Sequence, residues 1–577
     1  MKSMIVALLG TLVATLALAQ DPAAPTRPGN SPWWQGALIY EIYPRSFQDS
    51  DGDGTGDLNG ITQRLDYLQM LGVDAIWITP FYPSPQVDFG YDIADYEAID
   101  PQFGTLADFD HLISEASKRH IRVLLDMVLN HTSNQHPWFI AAASSRTNPK
   151  HDWYVWNDGK LDATGQRMPP NNWRSIFGGS SWEWVPGVQQ YYYHEFYIQQ
   201  PDLNWRNPKV EQAMFGALQF WLDRGVAGFR LDAVTRLFED VRLRDNPQVA
   251  GLDDLGRPRV KDLYTDNLPE VHDTMRRLRH MIDQYPGDRV LIGETYLPDT
   301  KALDQWYGGS RHDELQLPMD MQFGFINKLD AGTFRKRLEE IYTQVHGSEP
   351  LLAFDNHDNT RSWERYGDGV HDGEIARLLA TLLLTSKATA VLYQGQELGM
   401  RTATPQRKED VRDPVGISNW PTNKGRDGER TPMQWDSSNR QAGFTTNPMP
   451  WLPVQKDYAS INASSELAAP DSLLNWYRTL ITLRRAQPAL QAGSLILLDR
   501  HNPSILSYAR TDAHGEAILV ALNMSGTWQT AVLDLRHSGI RGRKLQTLLA
   551  SPAEMAEVQS VRHIELPPFG SWVGALQ

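Results

Sequence analysis

The chain has 577 residues, 41% hydrophobic and 22% charged, which is enough for a large core and more than one domain. Its formal net charge of −15 argues against nucleic acid as a partner, because phosphates call for clustered Lys and Arg. Cysteine is absent, which excludes disulfides, thiolate metal sites and a Cys nucleophile.

Lys2 precedes an apolar run over 4–18 that ends in Ala17-Leu18-Ala19. A basic start, a short apolar stretch and small residues form an export signal, cut here after Ala19. The run is shorter than the roughly 20 residues that span a bilayer. The mature protein is therefore expected to be secreted or periplasmic, with no membrane contact. Residues 20–32, rich in Pro, Gly and Ala, read as a disordered leader.

Short apolar runs then recur with helical patterns between several of them. They fall at 38–43, 74–79, 121–128, 228–234, 289–294, 351–355 and 390–393, with a weaker run at 315–323. Helical periodicity covers 61–71 and 106–119. Near-continuous apolar strands alternating with helices predict a parallel sheet, and eight such units predict a closed (β/α)8 TIM barrel over 33–131 and 207–491. Two connections are too long for loops. Residues 132–206, dense in Trp and Tyr, read as a small domain inserted after the third strand; residues 398–470 read as a partly ordered lid. A last helix is expected over 471–491. Strand-like runs at 494–498, 505–508, 517–522 and 530–535 then predict a C-terminal antiparallel β-sandwich over 492–577.

Asp49-Ser-Asp51-Gly-Asp53-Gly-Thr55-Gly-Asp57 places oxygen donors at alternate positions, with Gly at the sixth. That spacing folds hard ligands onto one point, as in the first part of a calcium loop. Position 12 is Gly60 rather than a bidentate Glu, so the loop is not a full EF-hand. A structural Ca2+ is expected, against the alternative of a solvated acidic turn.

Several polar residues sit at predicted strand ends, where barrel active sites are built. Asp232 follows Arg230 on one strand, and a neighbouring cation favours an ionised nucleophile. Glu294 closes an apolar strand, a setting that suits a general acid. Asp358 follows His357 in Phe354-Asp-Asn-His-Asp-Asn. Singly, such carboxylates are more often structural; their common face is what points to glycoside hydrolysis, which needs an attacking and a protonating carboxyl. His131 and His357, taken alone, read as core histidines. No His/carboxylate cluster has zinc-ligand spacing.

These motifs, in order, resemble the α-amylase family of glycoside hydrolases, specifically its α-glucosidase branch. Asp126-Met-Val-Leu-Asn-His131, Gly228-Phe-Arg-Leu-Asp232-Ala233, Gly293-Glu294 and Phe354-Asp-Asn-His357-Asp358 are similar to its conserved regions. Gln200-Pro-Asp-Leu-Asn204 and Arg430-Thr-Pro-Met-Gln-Trp435 resemble further stretches of that branch. The resemblance implies Asp232 as nucleophile, Glu294 as acid/base and Asp358 as transition-state stabiliser. In Gly90-Tyr91-Asp92 it implies that Tyr91 stacks on the terminal glucose and Asp92 binds its hydroxyls. It adds His131, His357 and Phe177 around that ring, and Arg426 as the partner of Asp92, with Arg430 as the competing assignment. It also implies Asp49, Asp51, Asp53, the Thr55 backbone and Asp57 as calcium ligands.

The resulting expectation is a retaining, exo-acting α-glucosidase on a small disaccharide or oligosaccharide. Ala233, beside the nucleophile, is the residue type that goes with α-1,4 rather than α-1,6 linkages in related enzymes. Two rivals stand beside it. A glucosyl transferase or isomerase uses the same intermediate, and Asn267-Leu-Pro-Glu-Val-His272 resembles a stretch of trehalose-forming relatives, while Arg361-Ser-Trp-Glu-Arg365 weakly resembles an isomaltulose-forming loop. A non-catalytic, membrane-anchored barrel is the other, opposed by the complete carboxylate set. Oligomeric state is open.

Overall fold

A computed structural model describes residues 31–576, except 253–255, 346, 537, 543, 554, 556–557 and 559. The expected export signal and residues 20–30 of the leader lie outside the described residues. Eight parallel strands form the centre: β1 (Leu38–Ile42), β2 (Ala75–Ile78), β3 (Arg122–Val128), β4 (Gly228–Asp232), β5 (Val290–Gly293), β6 (Leu317–Pro318), β7 (Leu351–Ala353) and β8 (Thr389–Tyr393). Their order is β6-β5-β4-β3-β2-β1-β8-β7. A bridge from Met319 to Leu351 joins β6 to β7 and closes the barrel. β6 is much shorter than the apolar run around it, because a short helix, Met321–Gly324, takes up the end of that run.

The helices follow from local signals. Leu106–Lys118 starts at a capping box between Thr105 and Asp108 and buries Phe109, Leu112 and Ala116 on one face. The helix expected over 61–71 is two helices, Leu58–Gln63 and Leu65–Leu71, joined at Arg64. Two apolar layers result. Ile39, Trp77, Leu124, Ile292 and Val391 fill the barrel, while a larger cluster lies between strands and helices. Near the C-terminal ends of the strands the interior turns polar: Glu41, Asp126 and Arg230 are buried there.

Within 132–206, strands Trp156–Asn157, Trp182–Val185 and Gln190–Tyr193 form a small sheet. Trp173, Trp182, Tyr191 and Tyr193 give it a core of its own. The 398–470 segment is irregular but packed down on the barrel, with Met433, Gln434 and Phe444 fully buried. The last helix ends at Ala486, and Pro488 starts a separate short one. A five-stranded antiparallel sheet follows: β9 (Ser494–Leu497), β10 (Ile505–Thr511), β11 (Ala517–Asn523), β12 (Leu545–Ser551) and β13 (Ser571–Leu576), in the order β9-β10-β11-β13-β12. It packs on a second small sheet, Gln529–Ala531 with Ile564–Leu566, which takes up the start of the run expected at 530–535. Among the described residues, no helix is long and apolar enough to cross a membrane.

Candidate active site

Side chains two apart on a strand share a face, so Arg230 and Asp232 both point into the barrel from β4. Arg230 Nη1 donates to both oxygens of Asp126 at 3.0 Å and to Asp232 at 2.7 Å. Its Nη2 reaches Glu294 Oε1 at 2.8 Å. Ala233 adopts a left-handed conformation (φ 42°, ψ 35°) and donates its N–H to Glu294 Oε2 at 3.0 Å. One buried cation thus orients three carboxylates.

Three carboxylates on one guanidinium favour retaining a proton among them. Burial pushes Asp232 well above the usual carboxylate range; Arg230 opposes this, and Glu294 and Asp126 add to it. Burial likewise raises Asp126, to about 6. Arg230 therefore favours the ionised Asp232, as the sequence suggests, but burial and the neighbouring carboxylates oppose it. Asp358 is the opposite case. Burial works against its charge, but His357 (3.3 Å), Arg426 (3.0 Å) and Arg430 (2.6 Å) together hold it well below the usual range.

A cavity of about 420 Å3 opens over these groups, within the range of small-ligand sites. Asp88, Tyr91, His131, Phe177, Asp232, Ala233, Glu294, Asp358 and Arg426 line it, and Ile176, Phe196, Thr235, Arg236, Tyr296 and Asn359 complete the wall. His357, which the resemblance puts around the sugar ring, and Arg230, a substrate-binding candidate beside Asp232, are both buried and stand behind these residues. Burial lowers both His131 and His357 to about 3, so their rings are neutral hydrogen-bonding groups at ordinary pH. His131 lies 3.2 Å from the Tyr91 carbonyl and 3.1 Å from Gln200.

The structure corrects one assignment. Asp92 is fully buried and makes no ion pair with Arg426. It accepts from Ser84 (2.8 Å), Val87 (3.0 Å) and Asp88 (2.9 Å), stapling its own loop together. Asp88 is the residue that lines the cavity, and it pairs with Arg426 at 2.8 Å. Asp413 in turn cradles Arg426 through its Nε (2.8 Å) and backbone N–H (2.7 Å). Arg430 meets Asp358 but not Asp88, so Arg426 is the one that closes this end of the pocket.

The rival motifs have structural duties. Asn267 accepts from Trp306, and His272 pairs with Glu314. Arg361 is fully buried, donating to the carbonyls of Gln394 and Glu429, and Arg365 caps those of Gly324 and Phe354.

At the aspartate-rich loop, Asp49, Asp51 and Asp57 offer oxygens that all lie within 4.8 Å of one another. This donor set fits a hard cation. Asp53 stands outside that group; its carboxylate accepts the Thr55 N–H at 2.6 Å.

Residues 41–493 match the alpha-amylase catalytic domain. This chain belongs to the alpha-amylase family. It is 42% identical over 520 residues to a probable alpha-glucosidase of Rhizobium meliloti (strain 1021), covering 87% of this chain and 91% of that one. It is 37% identical over 570 residues to an oligo-1,6-glucosidase of Parageobacillus thermoglucosidasius, covering 93% and 98%. The crystal structure of an alpha-glucosyl transfer enzyme, XgtA, is similar with a TM-score of 0.85 at 38% identity, covering 95% and 100%. The chain is thus a glycoside hydrolase of the alpha-glucosidase and oligo-1,6-glucosidase group.

The two flanking aspartates separate by experiment. Asp88→Asn should lower kcat/KM on p-nitrophenyl α-glucopyranoside about 10- to 100-fold, the cost of one charge-assisted hydrogen bond, while the melting temperature stays within a few degrees. Asp92→Asn should act mainly on the melting temperature. The reverse pattern restores Asp92 as the pocket residue.

Proposed function

We propose that this chain is a retaining, exo-acting α-glucosidase that releases α-glucose from the non-reducing end of short α-glucosides, with α-1,4 linkages preferred. The observation that carries it is the pairing of Asp232 and Glu294 on two nitrogens of one guanidinium, in a pocket shut at one end by Asp88 and Arg426. Close carboxyls suit retention, which wants them about 5–5.5 Å apart. The closed end suits a terminal sugar.

In this reading Asp232 attacks the anomeric carbon as the glycosidic bond breaks. Glu294 gives its proton to the departing oxygen. Water then enters, Glu294 takes its proton, and the ester to Asp232 is cleaved with the α configuration restored. Asp358, held ionised by its two arginines, steadies the sugar hydroxyls and the positive charge that develops. Tyr91, His131 and Phe177 frame the ring.

The linkage preference rests on Ala233, whose side chain reaches the cavity beside both carboxylates. A sugar hydroxyl in place of water turns hydrolysis into transfer with the same intermediate, and the likeness to an alpha-glucosyl transfer enzyme favours some of that activity. Export through residues 1–19 is part of the proposal; mass spectrometry of the mature protein should find Gln20 first, and an intact Met1 rejects it.

A panel of maltose, isomaltose, sucrose and starch, with products followed by proton NMR, tests the whole. Maltose should lead, starch should trail, and the first product should be α-glucose; initial β-glucose rejects retention. Asp232→Ala should remove turnover without unfolding. Ala233→Val should move the maltose-to-isomaltose ratio toward isomaltose, and an unmoved ratio removes Ala233 from the account.

We also propose that Asp49, Asp51 and Asp57 hold a structural Ca2+, with Asp53 and the Thr55 carbonyl completing the set. The ion would neutralise the clustered carboxylates. The loop is already tied to the 398–470 segment, as Thr445 donates to Asp49, Asn447 to the Gly52 carbonyl and the Trp451 N–H to the Gly54 carbonyl. EDTA should lower the melting temperature and excess Ca2+ restore it. In Asp49→Asn the Ca2+-dependent increment should vanish; an increment equal to wild type rejects the site.

A further inference from the structure

Beneath the catalytic pocket lies a chain of hydrogen bonds that the mechanism above does not use. Glu41, on β1, is fully buried. Its Oε1 is 2.6 Å from His357 Nδ1 and 3.2 Å from the His357 backbone nitrogen. His357 Nε2 is 2.7 Å from the Tyr91 hydroxyl, which is 3.1 Å from Asp126. Asp126 then meets Arg230. Tyr91 and Tyr43 stack on the imidazole at centroid distances of 5.5 and 5.7 Å, so the ring cannot swing away.

We propose that Glu41 is a protonated positioning residue that fixes the direction of this relay: its O–H donates to His357 Nδ1, His357 Nε2–H donates to the Tyr91 oxygen, and the Tyr91 O–H donates to Asp126. The opposite direction uses the same protons, with Asp126 protonated, Nδ1–H pointing at an ionised Glu41 and Tyr91 donating to Nε2. Three observations choose between them. Asp126 has both oxygens on the Arg230 guanidinium, so it is the end that carries the charge. Among the described residues Glu41 pairs only with His357, and its Oε2 has no partner at all, an arrangement too costly for a buried anion. Asp358 Oδ2 lies 3.3 Å from Nε2, and a carboxylate there favours a proton on that nitrogen over a bare lone pair. Burial also pushes Glu41 well above the usual carboxylate range.

The relay matters because Tyr91 and Asp358 both face the cavity. Nε2–H donates to Tyr91 beside the Asp358 carboxylate and leaves the Tyr91 proton directed at Asp126, so Glu41 acts on the sugar site through His357. This rests on Tyr91 and Asp358 as sugar-binding groups.

15N NMR of histidine-labelled protein, with His357→Gln assigning the signal, reads the tautomer directly. Wild type should show a protonated Nε2 and a bare Nδ1; a bare Nε2 overturns the proposal. In Glu41→Gln the His357 backbone N–H still needs an acceptor, so the amide oxygen should take that place and the ring should turn to the Nδ1–H form. Its kcat/KM on p-nitrophenyl α-glucopyranoside should fall about 10- to 100-fold with the melting temperature within a few degrees. An unchanged tautomer with unchanged kcat/KM overturns it. If that variant does not fold, the wild-type spectrum alone decides. A different preferred glucoside would leave the spectrum as it is, so failure of the α-1,4 reading and failure of this one are distinguishable.

Discussion

One guanidinium governs the centre of this protein. Arg230 is buried and surrounded by Asp126, Asp232 and Glu294. A buried charge is tolerable only when paired and hydrogen-bonded, and the same holds for each carboxylate. The four groups are therefore mutually dependent in position as well as in charge. The fold supplies what they need: a two-residue strand period puts Arg230 and Asp232 on one face, adjacent strands bring Asp126 and Glu294 to either side, and the left-handed turn at Ala233 aims an N–H at Glu294.

Across the cavity the balance is reversed. Asp358 meets two arginines, Arg430 and Arg426, both from the 398–470 segment, although Arg426 also serves Asp88 and Asp413. A carboxylate rich in cations stays ionised, whereas carboxylates that share one keep a proton among them. The two environments thus favour charge on Asp358 and a retained proton in the Arg230 cluster, a contrast of the kind the proposed acid/base chemistry would use.

The eight strands were legible because buried parallel strands are apolar throughout and stop where the site begins. Asp232, Glu294 and Asp358 were legible for the same reason. The choice between Asp88 and Asp92 was not: both flank Gly90-Tyr91, and only the folded loop shows which one is spent on its own backbone. Glu41 left a signal that was readable, a lone carboxyl inside the apolar run Leu38–Ile42, but its partner His357 is 316 positions away. The break before Pro488 shows local chemistry cutting a helix that periodicity would have run on, while the one at Arg64 left no such mark in the sequence. β13 is buried on both faces, so no alternation marks it as a strand.

The pair Asp88–Arg426 makes the cavity a cul-de-sac. Traffic through it is consequently single-file. On the proposed exo action, a glucose formed at the blind end departs by the doorway through which the next substrate arrives, and until it does so it stands in the way. Product accumulation and substrate entry compete for one passage. On the proposed mechanism, a sugar waiting in that passage is also better placed than distant solvent to meet a glucosyl group on Asp232, which would make crowding at the door a physical link between slow release and transfer.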